Sequence, residues 1–304
     1  MKYFITLIVA VILIGGFLIY QGIYYPIEPG SDETVIFLVK KGEGAKEISI
    51  NLKEQGLIRY SSFFRAYALI ENKAEELKAG EYELSPSMNI LEIINKLASG
   101  DRIKKMITII EGWTVKDIAN YLEVEELDPN LEGYFFPDTY EISPEDGIEE
   151  IIEKMFDNFN KKMSLELIEE IASQEKTIHE IVIMASLIEK EVKTFEDKKI
   201  VSGILWKRIE AGMPLQVDAT IIYITGKKST KILQEELEID SPYNTYRYKG
   251  LPFGPICNPG MESILAAIYP ESSEYWFYLS TPEGETIFSK SLKEHSEARA
   301  KYLK

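Results

Sequence analysis

Glu189 and Glu191 stand two residues apart near the end of the segment Thr177–Val192. The segment opens with Thr177-Ile178-His179-Glu180, a capping box that starts a helix. At about 100° per residue, Ile178, Ile181, Val182, Ala185, Ile188 and Val192 make one apolar stripe. Glu189 falls inside that stripe, while Glu191 falls on the polar side with His179, Glu180 and Lys190. Burial disfavours the charged form of a carboxyl, so Glu189 is the candidate for a neutral acid that protonates a leaving oxygen. A buried glutamate paired with a cation such as Arg208 fits the same spacing.

Polar residues that could line a site beside this acid come later in the chain. In Leu215-Gln-Val-Asp-Ala-Thr220, apolar and polar residues alternate. A strand would put Gln216, Asp218 and Thr220 on one face. Alternatively, Asp218 caps a helix running through Tyr223. Ser241–Gly260 carries four prolines, three glycines and three tyrosines, too many for a plain turn. Long ordered loops are usually functional. Tyr243, Asn244, Tyr246 and Asn258 offer aromatic faces and amides, which suit sugar rings. A rigid structural loop fits the same composition. Asn258-Pro259 reads as the cap and first residue of a following helix. Cys257 has no histidine at a useful local spacing, and no serine sits in a nucleophile elbow. His295 reads as a surface or packing residue.

The elements that position these residues predict an α+β fold in three parts. Residues 1–25 hold a cytoplasmic tip and Phe4–Tyr20, an uncharged apolar run at the short end for spanning a bilayer, which Gln21–Tyr25 lengthens. The run ends in Phe-Leu-Ile-Tyr without an Ala-x-Ala-like site, which favours an uncleaved anchor over a signal peptide. Lys2 before it and Glu28, Asp32 and Glu33 after it place the N-terminus in the cytoplasm and the bulk outside. Residues 26–102 hold a linker and a small β-α-α-β-α module: strands at 35–39 and 80–84, helices at 45–55, 61–69 and 88–97. Residues 103–304 form a mixed α+β domain. Its expected elements are a strand at 103–110, helices at 113–122, 147–173, 177–192 and 198–211, and a hairpin over 275–289.

Composition removes several function classes. Asp plus Glu is 50 against 34 Lys plus Arg, a formal net charge of −16, which repels nucleic acid. One cysteine permits no internal disulfide, and with two histidines it leaves no Cys/His zinc cluster. A carboxylate-bound ion is the only metal option left, and no cofactor is expected.

Five segments carry a resemblance. They are Leu131-Glu-Gly-Tyr-Phe-Phe-Pro-Asp-Thr-Tyr140, Ala185-Ser-Leu-Ile-Glu-Lys-Glu191, Leu215–Thr220, Tyr243-Asn-Thr-Tyr246 and Leu251–Gly260. With them the chain resembles the endolytic murein transglycosylases of the YceG/MltG-like family. The resemblance implies a membrane anchor, a LysM-like module and a lytic catalytic domain that cuts peptidoglycan glycan strands internally. It maps the family's single catalytic glutamate onto Glu189. It implies Gln216, Asp218, Tyr243, Asn244, Thr245 and Tyr246 as cleft residues. The implied product is a 1,6-anhydromuramoyl end, formed without water and without a cofactor. The implied partners are glycan strands and the lipid bilayer. Cell-wall synthesis proteins are further partners the resemblance suggests.

Overall fold

A computed structural model describes residues 2–144, 146–227 and 232–303. They form two compact units, one of Met1–Ile107 with Glu141–Gly147, the other of Thr108–Tyr140 with Ile148–Lys304. The mixed α+β character expected from the sequence is present, with small two-stranded sheets and many helices.

In the first unit, α1 spans Lys2–Tyr24. Its stretch Leu7–Tyr24 has a mean hydropathy of 2.2, long and apolar enough to cross a membrane. The β-α-α-β-α order then follows: β1 (Val35–Val39), α2 (Ala45–Glu54), α3 (Ser61–Ile70), β2 (Gly80–Leu84) and α4 (Ile90–Ser99). β1 and β2 pair antiparallel, Phe37 opposite Tyr82. Alternation buries Phe37 and Val39 against Ile48, Leu52, Phe64 and Ile94, leaving Ile36 and Leu38 exposed. Asn89 caps α4 through the Glu92 N–H, and left-handed Gly100 ends it. Ser61 does not cap α3 as its type suggests, because it is already the first helical residue and Tyr60 takes the cap position.

β3 (Lys105–Thr108) is shorter than expected and pairs with β4 (Thr139–Ile142). In the second unit α5 (Val115–Tyr121) is capped by Thr114, with Asp117 closing the box. The expected helix over 147–173 is two helices, α6 (Ile148–Lys162) and α7 (Leu165–Ser173). Ser164 breaks it by capping α7 through the Leu167 N–H. α8 (Ile178–Glu191) starts at the Thr177–Glu180 box, as its sequence requires. α9 (Phe195–Glu210), α10 (Asp218–Thr225), α11 (Met261–Ile268), the hairpin β5 (Phe277–Ser280) and β6 (Thr286–Ser289), and α12 (Leu292–Tyr302) complete the unit.

α8 is the axis of this unit. It packs against α7, α9, α10 and α11, and every residue from Ile181 to Ile188 is buried. The expected stripe is buried and His179 and Lys190 are exposed, but Ile183, Met184, Ser186 and Leu187 on the other sides of the helix are buried as well, so the stripe is not the only inward face. Leu187, Val201, Leu205, Ile264 and Ala267 form the core around it. Gly203 permits one close approach, because a β-carbon there would lie 2.0 Å from the Glu271 carbonyl oxygen. Of the two readings of Leu215–Thr220, the strand is absent and the helix through Tyr223 is present. α10 begins at Asp218, and Val217 occupies its cap position.

Candidate active site

Glu189 lies in the last turn of α8, with its side chain 10% exposed. Three donors converge on its carboxyl. The Gly260 N–H donates at 3.0 Å and the Ser263 hydroxyl at 2.5 Å, both to Oε2. The Lys198 ammonium lies 3.5 Å from each oxygen, on a side chain 4% exposed. Gly260 is the cap residue of α11 and Ser263 stands in its first turn, so this helix presents its N-terminus to Glu189. A helix N-terminus is a favourable neighbour for a carboxylate. The Ser263 hydroxyl can also turn and accept, so the same geometry can hold the protonated acid. Lys198, on α9, is the cation that pairs with Glu189. Arg208, the partner suggested by sequence, donates instead to the Leu215 and Trp276 carbonyls.

Two further carboxyls surround this group. Glu262 lies 4.0 Å from Lys198. A β-carbon on Gly260 would lie 1.9 Å from Glu111 Oε1, so Glu111 rests against that glycine. Burial, and then the Glu189 charge, push the Glu111 carboxyl above its ordinary range.

Glu191 does not point into plain solvent as the helix-face reading expects. It is half-buried, bonded to Tyr278 and the Ala219 N–H, with Asp218 and Arg208 nearby. Burial first, and then the Asp218 charge, push its carboxyl up to about 7. Asp218 does not cap α10 with its side chain. It accepts a hydrogen bond from the Tyr246 hydroxyl. Gln216 is exposed and left-handed at φ 52°, held by its N–H to the Thr245 carbonyl at 3.1 Å. A non-glycine residue held there is strained, a feature that clusters at functional sites.

The other expected cleft residues divide in two. Tyr243 and Tyr246 are half-buried and keep ring surface available. Tyr243 packs 5.1 Å from Tyr223 and 6.0 Å from Phe253, centroid to centroid. Asn244 and Thr245 are each 1% exposed. Asn244 donates to the Leu237 and Ile239 carbonyls and accepts from the Tyr246 N–H. Thr245 accepts from the Val217 N–H and shares a bond with Thr220. Their side chains brace the loop. Asn258 is fully buried and does not cap α11, where Gly260 takes that place. Its Oδ1 accepts from the Phe135 N–H at 2.9 Å, and its Nδ2 donates to the Trp113 carbonyl at 2.9 Å. Cys257 is buried and its thiol lies well above its ordinary range because of that burial.

The YceG-like family model matches residues 37–301. The chain belongs to the YceG-like family. An endolytic murein transglycosylase of Bacillus subtilis is 33% identical over 96% of this chain and 91% of its own length. One from Streptococcus pneumoniae is 29% identical over 97% of this chain and 63% of its own length. The crystal structure of a yceG-like protein from Listeria monocytogenes superposes with a TM-score of 0.59 at 31% identity. That match covers 88% of this chain and all of the other.

In this YceG-like chain, no sequence signal marks Lys198, Ser263, Gly260, Glu111 or Glu132. Ser263 and Gly260 reach Glu189 from 74 and 71 residues away. No local pattern announces such contacts. Glu132 lies inside the segment 131–140, where the aromatic residues dominate the pattern.

Proposed function

We propose that this chain is an endolytic murein transglycosylase with Glu189 as its catalytic acid and base. The carrying observation is the Glu189 carboxyl, near-buried and held by Gly260, Ser263 and Lys198, in a chain of this family. In the reaction, protonated Glu189 gives its proton to the glycosidic oxygen between N-acetylmuramic acid and N-acetylglucosamine. The bond from that oxygen to C1 breaks. The muramoyl 6-hydroxyl oxygen bonds to C1, and its proton passes to the Glu189 carboxylate, restoring the acid. The tethered hydroxyl has a high effective molarity, so no water is needed. The product is a 1,6-anhydromuramoyl end within a strand.

Gln216, Asp218, Tyr243 and Tyr246 line the substrate path in this reading. Asn244, Thr245 and Asn258 shape it from beneath. α1 anchors the protein in the plasma membrane with its N-terminus cytoplasmic, and the β-α-α-β-α module acts as a LysM-like glycan contact.

Glu189→Gln keeps the shape but cannot give a proton, so strand cleavage should fall by about 10²-fold or more. Retained activity in that variant would overturn the assignment. Glu111 beside Gly260 favours one second reading, in which a second carboxyl activates water as in a muramidase. Such an enzyme would leave reducing muramic ends.

A further inference from the structure

We propose that Glu132 is a positioning residue of this reaction, fixing the Gly260 donor on Glu189 through Asn258 and fixing Tyr243 through Tyr223. The inference rests on the transglycosylase reading above.

Glu132 is 5% exposed, in the loop before Gly133. That loop is wedged onto α8: Gly133 has φ 89°, and a β-carbon there would lie 2.7 Å from Val182 Cγ1 and Pro255 Cγ. A buried carboxyl is costly unless its oxygens are satisfied. Here the Val115 N–H donates to Oε1 at 3.0 Å and to Oε2 at 3.2 Å. The Asn258 Nδ2 donates to Oε1 at 3.1 Å, and the Tyr223 hydroxyl donates to Oε2 at 3.3 Å.

Asn258 carries the first arm. Its backbone N–H donates to the Trp113 carbonyl at 2.8 Å, and its own carbonyl accepts from the Gly112 N–H at 2.8 Å. Both clasped segments lie beside Glu189. A β-carbon on Gly112 would lie 3.7 Å from Glu189 Cγ, and Gly260, two residues beyond Asn258, donates to Oε2. With Phe135 N–H on Oδ1 and Glu132 on Nδ2, the Asn258 amide has one orientation. Tyr223 carries the second arm, its ring against Tyr243 and its hydroxyl bonded to that tyrosine.

The ionised carboxylate accepts from all three donors, whereas the protonated acid must turn one oxygen into a donor. Burial pushes Glu132 up to about 7, with Asp117 on α5 adding to the rise and Lys190 on α8 opposing it. The Val115 and Tyr223 bonds also oppose the rise. Losing protons through this range completes the network, so turnover should climb with pH on its acidic side.

The test measures initial rates of anhydromuramoyl-end formation by the full-length protein on soluble uncrosslinked glycan strands, at saturating substrate, from pH 5 to 9. Glu132→Gln puts an amide donor where a carboxylate oxygen accepts. Its turnover should fall about tenfold or more, and its acidic limb should disappear. Tyr223→Phe, which removes one donor only, should fold as the parent does and move that limb to higher pH. A proportionate loss with an unchanged profile in both variants would reduce Glu132 to a packing role and overturn the inference. Full activity in Glu132→Gln would overturn it as well. If the parent protein forms no anhydro ends while Glu189→Gln and parent behave alike, the transglycosylase reading is what fails.

Discussion

At the residue scale, the site is a near-buried ion pair with directional donors. Lys198 and Glu189 are worth keeping only together, because removing one partner strands a charge that water scarcely solvates. Lys198→Met should therefore lower stability by about 3–5 kcal/mol and remove activity. Urea unfolding and strand cleavage on the same preparation check it, and unchanged stability would argue against the pair. Glu191 gives a pH prediction. Its folded-state value, about 7, lies above the ordinary 4.5. The folded state therefore holds the proton more tightly, and its contribution is full below about 4.5 and lost as pH rises through about 7. Glu191→Gln should shrink the fall in melting temperature between pH 5 and pH 8. An unchanged difference would contradict the placement beside Asp218. The helix face places Glu189 in a stripe with Ile181, Val182, Ala185, Ile188 and Val192, all of them buried. The middle of α8 is buried on its other sides too, so the stripe alone does not single out Glu189. What distinguishes it is the N-terminus of α11, brought there from 70 residues downstream.

At the element scale, local signals read well and long-range uses of the same residues did not. The Thr177–Glu180 and Thr114–Asp117 boxes start helices because both partners lie within one turn. The alternation at 35–39 follows from a period of two, and the hairpin over 277–289 from the turn Pro282-Glu283-Gly284 between two short strands. Periodicity ran straight across Ser164, since apolar residues keep helical spacing on both sides of the break between α6 and α7. Asn258 has the local credentials of a cap, yet tertiary bonds to Trp113, Phe135 and Glu132 claim its amide. Gly203 shows the same limit, as nothing local explains a glycine inside α9. The Glu271 carbonyl pressed against it does. Gly203→Ala should force these backbones apart and lower the melting temperature by several degrees, about 1–3 kcal/mol. Calorimetry checks it, and a stabilised variant, as helix propensity alone predicts, would refute the close approach.

At the scale of the whole molecule, an apolar N-terminal helix precedes an acidic chain of net charge −16. The length and hydropathy of Leu7–Tyr24 were visible in the sequence because spanning depends on composition more than on packing. In the proposed topology, protease added to spheroplasts should remove nearly all of the protein. A protected C-terminal fragment would contradict it. The residues gathered around Glu189, which are Glu111, Lys198, Gly260 and Ser263, and Glu132 behind them were not legible in the sequence as one cluster. Only the packing of α9 and α11 around α8 gathers Glu189, Lys198, Gly260 and Ser263.

In the proposed reaction, Glu189 cuts glycan strands with an intramolecular nucleophile. The most direct test digests purified peptidoglycan with the full-length protein and weighs the new muramic ends by mass spectrometry, before and after borohydride. The expected ends are 1,6-anhydro and inert to borohydride, with long fragments appearing before disaccharides, and neither forms with Glu189→Gln. Ends heavier by one water and reducible by borohydride would contradict it.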